Sequence, residues 1–265
     1  MDKGVPIRAL SRGLDVLSNI SRNGPISLMQ IANGSDLPYA TACRIVQTLV
    51  HEGLVEREVG RKLYRVTPLV QSLSTGFQKE DMLAHLSKPF LEELCEEIKW
   101  PVSIATRVGT RMVLRETTHA MTSLTFSNYY PGFTLPIAEC ATGKAYLAHC
   151  DNDERDTVID GWHATDNETA NVGLLLTSDE GALEQIRDQG YAMQMRNNYN
   201  AEPGKTSTIA VPVLQEDGHV LASLGAIYFA SAMAPGAAAE QFTIPLKRAA
   251  DAIGKALESS PEAVL

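Results

Sequence analysis

Tyr39, Ala40, Thr41 and Arg44 fall on one side of a stretch whose other side carries Ala42, Ile45, Val46 and Leu49. A guanidinium and a hydroxyl projecting from the first turns of a helix can reach base edges in a major groove. Arg44 could take a guanine edge through two parallel hydrogen bonds, or hold a phosphate. Thr41 could meet a phosphate or a thymine methyl. Arg57, Arg61 and Lys62 follow around Val59-Gly60-Arg61 and could track a phosphate backbone or enter a minor groove. Ser27, at the start of the segment before, is counted with this set. Each residue alone reads as an ordinary solvated side chain. The order of turn, basic helix face and basic hairpin is what points to duplex DNA.

Other chemistries find less support. The cysteines, Cys43, Cys95, Cys140 and Cys150, form no Cys-x-x-Cys pair, and the six histidines show no ligand spacing, so neither a metal site nor a cofactor is expected. His149 beside Cys150 suggests a thiol nucleophile and its base. Neighbours on one helix point about 100° apart, however, and cannot form that pair unaided. The chain has no Gly-rich phosphate loop and no Gly-x-Ser-x-Gly. No catalytic residue is assigned. A thiol-dependent enzyme stays as a distant alternative, and a winged-helix protein-interaction module without ligand as another.

The elements that must position these residues follow from periodicity and punctuation. Leu10, Leu14, Leu17 and Ile20 predict a helix over 9–22, stopped by Asn23-Gly24-Pro25. Ser27 can cap a short helix carrying Leu28, Ile31 and Ala32. Gly34-Ser35-Asp36 turns the chain, and Leu37-Pro38 opens the helix bearing Arg44, which ends at Gly53. Strand-like runs at 54–57 and 62–66 complete a winged helix-turn-helix order, closed by Pro68. A helical pattern over 70–97 leads into a second region. There 102–107 with 111–117, and 208–214 with 220–229, read as strand pairs, while 141–149, 177–189 and 244–257 read as helices. Residues 163–173 read as a loop. The expected fold class is α+β, with an N-terminal winged helix-turn-helix domain over 1–68, a linker over 69–82, and an effector-binding and oligomerisation domain over 83–265.

Composition supports two soluble domains. The 265 residues are 44% hydrophobic and 21% charged, which suffices for a packed core. No apolar run is long enough for a membrane span, and the first residues lack a secretory core, so a cytoplasmic protein is expected. Net charge is -9, yet residues 1–75 hold nine Lys and Arg against six Asp and Glu. A mildly basic head on an acidic body steers one end toward phosphate.

At this point the sequence resembles the IclR family of bacterial transcription regulators along nearly its whole length. The resemblance rests on Arg8-Ala9-Leu10-Ser11-Arg12-Gly13-Leu14, Leu37-Pro38, Arg44 and residues 49–55 in the first part. In the second it rests on Leu135-Pro136, residues 141–148, Gly190-Tyr191-Ala192 and residues 209–213. Residues 113–119 and 227–233 are similar to the branch that activates phenylpropionate and hydroxyphenylpropionate breakdown genes. The resemblance implies a GAF-like effector domain, dimers or tetramers, and control of an aromatic-acid catabolic operon; a small aromatic acid is the expected effector, and RNA polymerase is a candidate protein partner. Family members commonly carry Ser where this chain has Ala40, which removes a hydroxyl contact.

Carried over residue by residue, the family's effector pocket implies Ala141 and Thr142 at a helix entrance, Asn198, Thr206 and Thr208 on loop and strand, and Gly225 and Ile227 on the last strand. In the small-keto-acid branch the positions of Asn198, Thr208, Gly225 and Ile227 carry an acid, a thiol and two hydroxyls. All four differ here, which disfavours a two-carbon acid. Gly225 leaves room, Ile227 supplies an apolar wall, and the threonines keep hydroxyls for a carboxylate or phenol. Arg107 and Arg115 could pair a ligand carboxylate, although strand arginines more often face solvent.

Overall fold

In the computed structural model, described over residues 7–76, 82–124, 129–164, 168–199 and 203–259, the chain divides into two compact units, 1–81 and 82–265. The first contains helices α1 (Arg8–Asn23), α2 (Leu28–Gly34) and α3 (Tyr39–His51). These precede a hairpin of β2 (Val55–Arg57) and β3 (Leu63–Val66). A short β1 (Ile26–Ser27) pairs antiparallel with β3, so the wing is a three-stranded sheet in the order β1-β3-β2. This is a winged helix-turn-helix.

Ser27 starts α2 with a reciprocal capping box. Its hydroxyl accepts the Gln30 N–H at 3.4 Å, while the Gln30 side chain accepts the Ser27 N–H at 2.9 Å. The core of this unit joins Val16, Leu17 and Ile20 of α1 to Ile31, Ala42, Val46, Leu49 and Val55. Leu10 and Leu14, expected on the same face of α1, are instead 61% and 56% exposed. At 100° per residue they sit just outside the arc defined by Val16, Leu17 and Ile20, beyond the reach of α2 and α3.

After a 3₁₀ segment, Pro68–Ser74, the second unit opens with α4 (Met82–Ile98). The expected helix over 70–97 is therefore not continuous from its start, and residues 77–81 lie outside the described set. Its sheet comprises β4 (Val102–Val108), β5 (Arg111–Thr117), β6 (Thr134–Pro136), β7 (Ala192–Gln194), β8 (Thr206–Leu214) and β9 (Val220–Phe229). All neighbours are antiparallel, in the order β6-β5-β4-β9-β8-β7. One face packs on α4 and on a terminal helix α9 (Pro235–Glu258), through Ile104, Ile209, Val211, Leu224, Tyr228, Phe242 and Leu246. The other face packs on α5 (Ala141–His149), through Ala105, Ala210, Ile227, Ala145 and Leu147. Alternation along β8 and β9 sends successive residues to these two layers.

Helices α6 (Asn152–His163), α7 (Glu168–Ser178) and α8 (Glu180–Gln189) close this second layer. The loop expected at 163–173 is helical from Glu168 onward, and residues 165–167 are not described. The polar composition of this stretch hides Ala170 and Gly173, which give α7 its buried face, with Gly173 against the Trp162 ring. The helix expected from 177 starts at Glu180 as α8, capped by Asp179, whose carboxylate accepts the Ala182 N–H at 3.3 Å. Helix α9 begins nine residues before the expected Ile244 and carries Pro245 within it.

Two buried polar features bear on stability. Arg107 donates to Glu154 at 3.2 Å, Tyr146 donates to the same oxygen at 2.7 Å, and burial with the Glu154 carboxylate holds the Tyr146 phenol above its ordinary range. His119, 6% exposed, stacks on Tyr129 with ring centroids 4.4 Å apart and meets the Thr117 hydroxyl. Burial pushes its pKa from the ordinary 6.5 down to about 4. The folded chain therefore refuses a proton that the unfolded chain accepts below 6.5. The stability due to neutral His119 is lost as pH falls, by about 2 kcal/mol on reaching pH 5. Urea denaturation across this range should show that slope, and His119→Gln should remove most of it. An unchanged slope in the variant would assign it to other groups.

Candidate functional site

The DNA-facing candidates occupy one unit. Tyr39 is 51% exposed at the first turn of α3, Ala40 and Arg44 are exposed, and Thr41 is half-buried. Pro38 precedes the helix in an extended conformation, so the first N–H groups of α3 are left without a side-chain cap. Helix N-termini of this kind favour anions. Arg57, Arg61 and Lys62 are exposed on and beside the wing, whose tip Gly60 takes a left-handed φ of 77°. Arg61 lies 4.0 Å from Glu58, and Arg65 pairs with Glu56 at 2.7 Å. Ser27 is half-buried and its hydroxyl serves the α2 capping box.

Two cations not counted among the DNA contacts from the sequence join this set. Arg8 and Arg12 of α1 line an open groove of about 820 Å³ together with Thr41, Arg44, Thr48 and His51 of α3. Their spacing of four residues places them on one side of α1, and that i, i+4 step is the signal that could have found them.

In the other unit, Ala141 and Thr142 begin α5 and are buried. Cys140 caps this helix, its sulfur accepting the Gly143 N–H at 3.3 Å and the Thr142 hydroxyl at 3.4 Å. Thr208 pairs with Ile227 across β8 and β9, and Gly225 pairs with Ala210. A side chain added at Gly225 would stand 3.1 Å from the Thr142 methyl and 3.4 Å from that of Thr208. Thr142, Thr208 and Gly225 are therefore brought together in close packing. Thr206 and Ile227 line an adjoining niche with Pro101, His119, Leu124 and Phe229.

Asn198 is not brought into this group. It is exposed, whereas Asn197 is 2% exposed, held by its backbone N–H to Thr206 at 2.8 Å and by its side chain to the Tyr199 N–H at 2.7 Å. Phe229 packs edge-on against Trp100 at 5.6 Å and so belongs partly to the opposite layer. Arg107 is engaged by Tyr146 and Glu154, and Arg115 by the Thr106 hydroxyl at 3.0 Å. The sequence reading missed Asn197 and the His119–Tyr129 stack. Neither lies in a stretch with a readable period.

The thiols are poorly placed for nucleophilic work. Burial raises the pKa of Cys140 and of Cys150, which disfavours the thiolate. His149 contacts the Ala145 carbonyl at 2.9 Å, and Cys150 donates to the Leu147 carbonyl. Asp151, Glu154 and His219 do bring ligand-type atoms within 4.8 Å of one another, a grouping of distant segments that spacing alone did not suggest. Among the described residues no helix is long and apolar enough to cross a membrane.

Comparison with known proteins accords with this architecture. Residues 77–255 match the family model "Bacterial transcriptional regulator IclR C-terminal", and residues 9–59 match "IclR helix-turn-helix domain". The chain is 26% identical over 222 residues to the HTH-type transcriptional regulator BhcR of Paracoccus denitrificans, covering 82% of this chain and 76% of that protein. It is 26% identical over 220 residues to the Pca regulon regulatory protein of Pseudomonas putida, covering 82% and 72%. A match to the regulator TsaQ1/TsaQ2 of Comamonas testosteroni, also 26% identical, spans only 56% of that protein's length. The fold is shared with an IclR family regulator from Brucella abortus, at TM-score 0.68 and 22% identity over 96% of this chain and 94% of that one. It is also shared with an IclR homologue from Microbacterium hydrocarbonoxydans crystallised with 4-hydroxybenzoate, at TM-score 0.63 and 20% identity over 95% of this chain and all of that one. Matched in both units and in order, the chain belongs to the IclR family of bacterial transcriptional regulators.

Proposed function

We propose that this regulator binds operator DNA through α3 and the wing, and that a small aromatic acid bound beside α5 controls that binding. The observation that carries the reading is the pairing of an α3 that exposes Arg44 in one unit with a packed threonine–glycine cluster at a helix N-terminus in the other.

For DNA, Arg44 is the base-reading candidate, with Tyr39, Ala40 and Thr41 beside it. Arg57, Arg61 and Lys62 would follow the backbone, and Arg8 and Arg12 extend the cationic surface to α1. A single winged helix reads few base pairs, so a homo-oligomer with paired heads is the natural reader. Leu10 and Leu14, one turn apart and exposed on α1, give a second copy an apolar stripe to cover. RNA polymerase is the protein partner if the regulator activates. A cytoplasmic location follows from such a role.

For the effector, Thr142, Thr208 and Thr206 carry hydroxyls and Ile227 supplies an apolar wall, beside a Gly225 whose side-chain space is already filled by the Thr142 methyl. A Cβ at Gly225 would already stand 3.1 Å from the Thr142 methyl, so a ring entering between them must displace the start of α5. A ligand that favours the displaced arrangement shifts its population, and with it the affinity for DNA. The 4-hydroxybenzoate complex of the Microbacterium hydrocarbonoxydans homologue supports an aromatic acid as the class of effector.

Arg44→Ala should weaken binding to the promoter region beside the regulator's own gene by about ten- to hundredfold, with a smaller loss on random duplex. Equal loss on both would make Arg44 a phosphate contact. Thr208→Val and Gly225→Ala should each weaken the response to 4-hydroxybenzoate or 3-phenylpropionate by about tenfold while leaving ligand-free DNA affinity in place. An undiminished response in both variants, followed by DNA-binding titration, would remove the effector site from α5.

A further inference from the structure

The start of α5 is held from a second direction, by side chains outside the effector set argued above. Gly143 packs so closely on the Ile137 carbonyl that an added Cβ would stand 1.9 Å from its oxygen. The 3₁₀ turn Ile137–Glu139 and the first turn of α5 therefore move as one piece. Both halves of that piece are tethered to a single segment of chain. The Tyr199 hydroxyl donates to Glu139 at 2.7 Å, and the Lys144 ammonium donates to the Gln194 side-chain oxygen at 2.8 Å.

That segment is itself fixed to the sheet. Its first residues, Ala192–Gln194, are β7, paired with β8. Beyond β7, the Arg196 N–H donates to the Ser207 hydroxyl at 3.1 Å and the Asn197 N–H to the Thr206 carbonyl at 2.8 Å. Arg196 takes a left-handed φ of 46°, a conformation that a non-glycine residue keeps only where its surroundings fix it. The buried Asn197 side chain then accepts the Tyr199 N–H at 2.7 Å, which fixes the backbone at Tyr199.

The two tethers differ in kind. Lys144 is half-buried, and burial lowers its pKa against the opposing pull of Cys140 and Glu139. An ammonium so placed needs an acceptor, and Gln194 supplies it. Tyr199 is exposed, and its bond to the Glu139 carboxylate is of the stronger, charge-assisted type. We propose that residues 192–199 form a latch that holds the start of α5 closed against the sheet, with Lys144–Gln194 and Tyr199–Glu139 as its two fastenings. The proposal rests on the reading that an effector displaces the start of α5. Each fastening then adds to the cost of that displacement and raises the concentration of acid needed for a response.

Hydrogen exchange of the full-length, ligand-free protein reads the latch without any effector, because amides near the start of α5 exchange through its local opening. Tyr199→Phe and Gln194→Met each remove one fastening while keeping the size of the side chain. Each should speed exchange of the Lys144, Ala145 and Tyr146 amides about fivefold and leave the amides of α9 at the parental rate. Gln194→Glu, which keeps an acceptor for Lys144, should exchange like the parent. Both loosened variants should also need about fivefold less 4-hydroxybenzoate for a half-maximal change in promoter affinity. The proposal is overturned if α5 exchanges at the parental rate in both loosened variants, or if exchange rises equally in α5 and α9, the mark of general destabilisation. It is equally overturned if Gln194→Glu exchanges like Gln194→Met, or if exchange speeds up while the acid requirement of a responsive parent stays fixed. Should no aromatic acid alter DNA binding by the parent, the effector reading fails alone, and the exchange rates still decide the latch.

Discussion

The second unit depends on how closely α5 can approach the segment before it and the sheet beneath it. An added Cβ at Gly143 would stand 1.9 Å from the Ile137 carbonyl oxygen, a distance no side chain can occupy. Glycine there lets the 3₁₀ turn at Ile137–Glu139 fold back against the first turn of α5, with Cys140 as its cap. Gly225 performs the matching service on β9, where it leaves space for the Thr142 methyl. Two missing side chains thus set the position of a helix N-terminus over the sheet. That N-terminus carries the groups proposed to sense a ligand.

The winged unit is organised by a different constraint, the division of charge and apolar surface on α3. Ala42, Val46 and Leu49 are consumed by the core, which forces Tyr39, Ala40 and Arg44 outward. A net-acidic chain can bind a polyanion when its cations gather on one small unit, because screening confines their influence to about a Debye length. Arg8 and Arg12 enlarge that region from α1. The same helix leaves Leu10 and Leu14 uncovered on another side, so one element serves the core, the cationic groove and an unpartnered apolar stripe.

Much of this was legible in the sequence where periodicity or punctuation is strong. Helix α3, the wing hairpin, the β4–β5 and β8–β9 pairs and α5 all follow from alternation, Gly turns and caps, and the capping role of Ser27 was readable from its position before Leu28. Helices α6 and α7 escaped because their buried faces rest on Val158, Trp162, Ala170 and Gly173 among polar neighbours. The face of α1 was misjudged by one residue step, since Leu14 and Leu17 both suit a 3.6-residue period while only Leu17 meets a partner. Asn197 and Asn198 are indistinguishable as letters; the hydrogen bond to Thr206 decides which one turns inward.

Thermodynamic coupling between the two units is the centre of this account, and fluorescence anisotropy of a labelled promoter duplex measures it directly. Titrations of the intact protein would be repeated over a range of salt concentrations, with and without a saturating aromatic acid. The account predicts affinity that falls steeply with salt, as counterion release requires, and that the acid changes by about five- to 150-fold at each salt concentration. Affinity that is indifferent to salt, or identical with and without every aromatic acid that binds the protein, would contradict it.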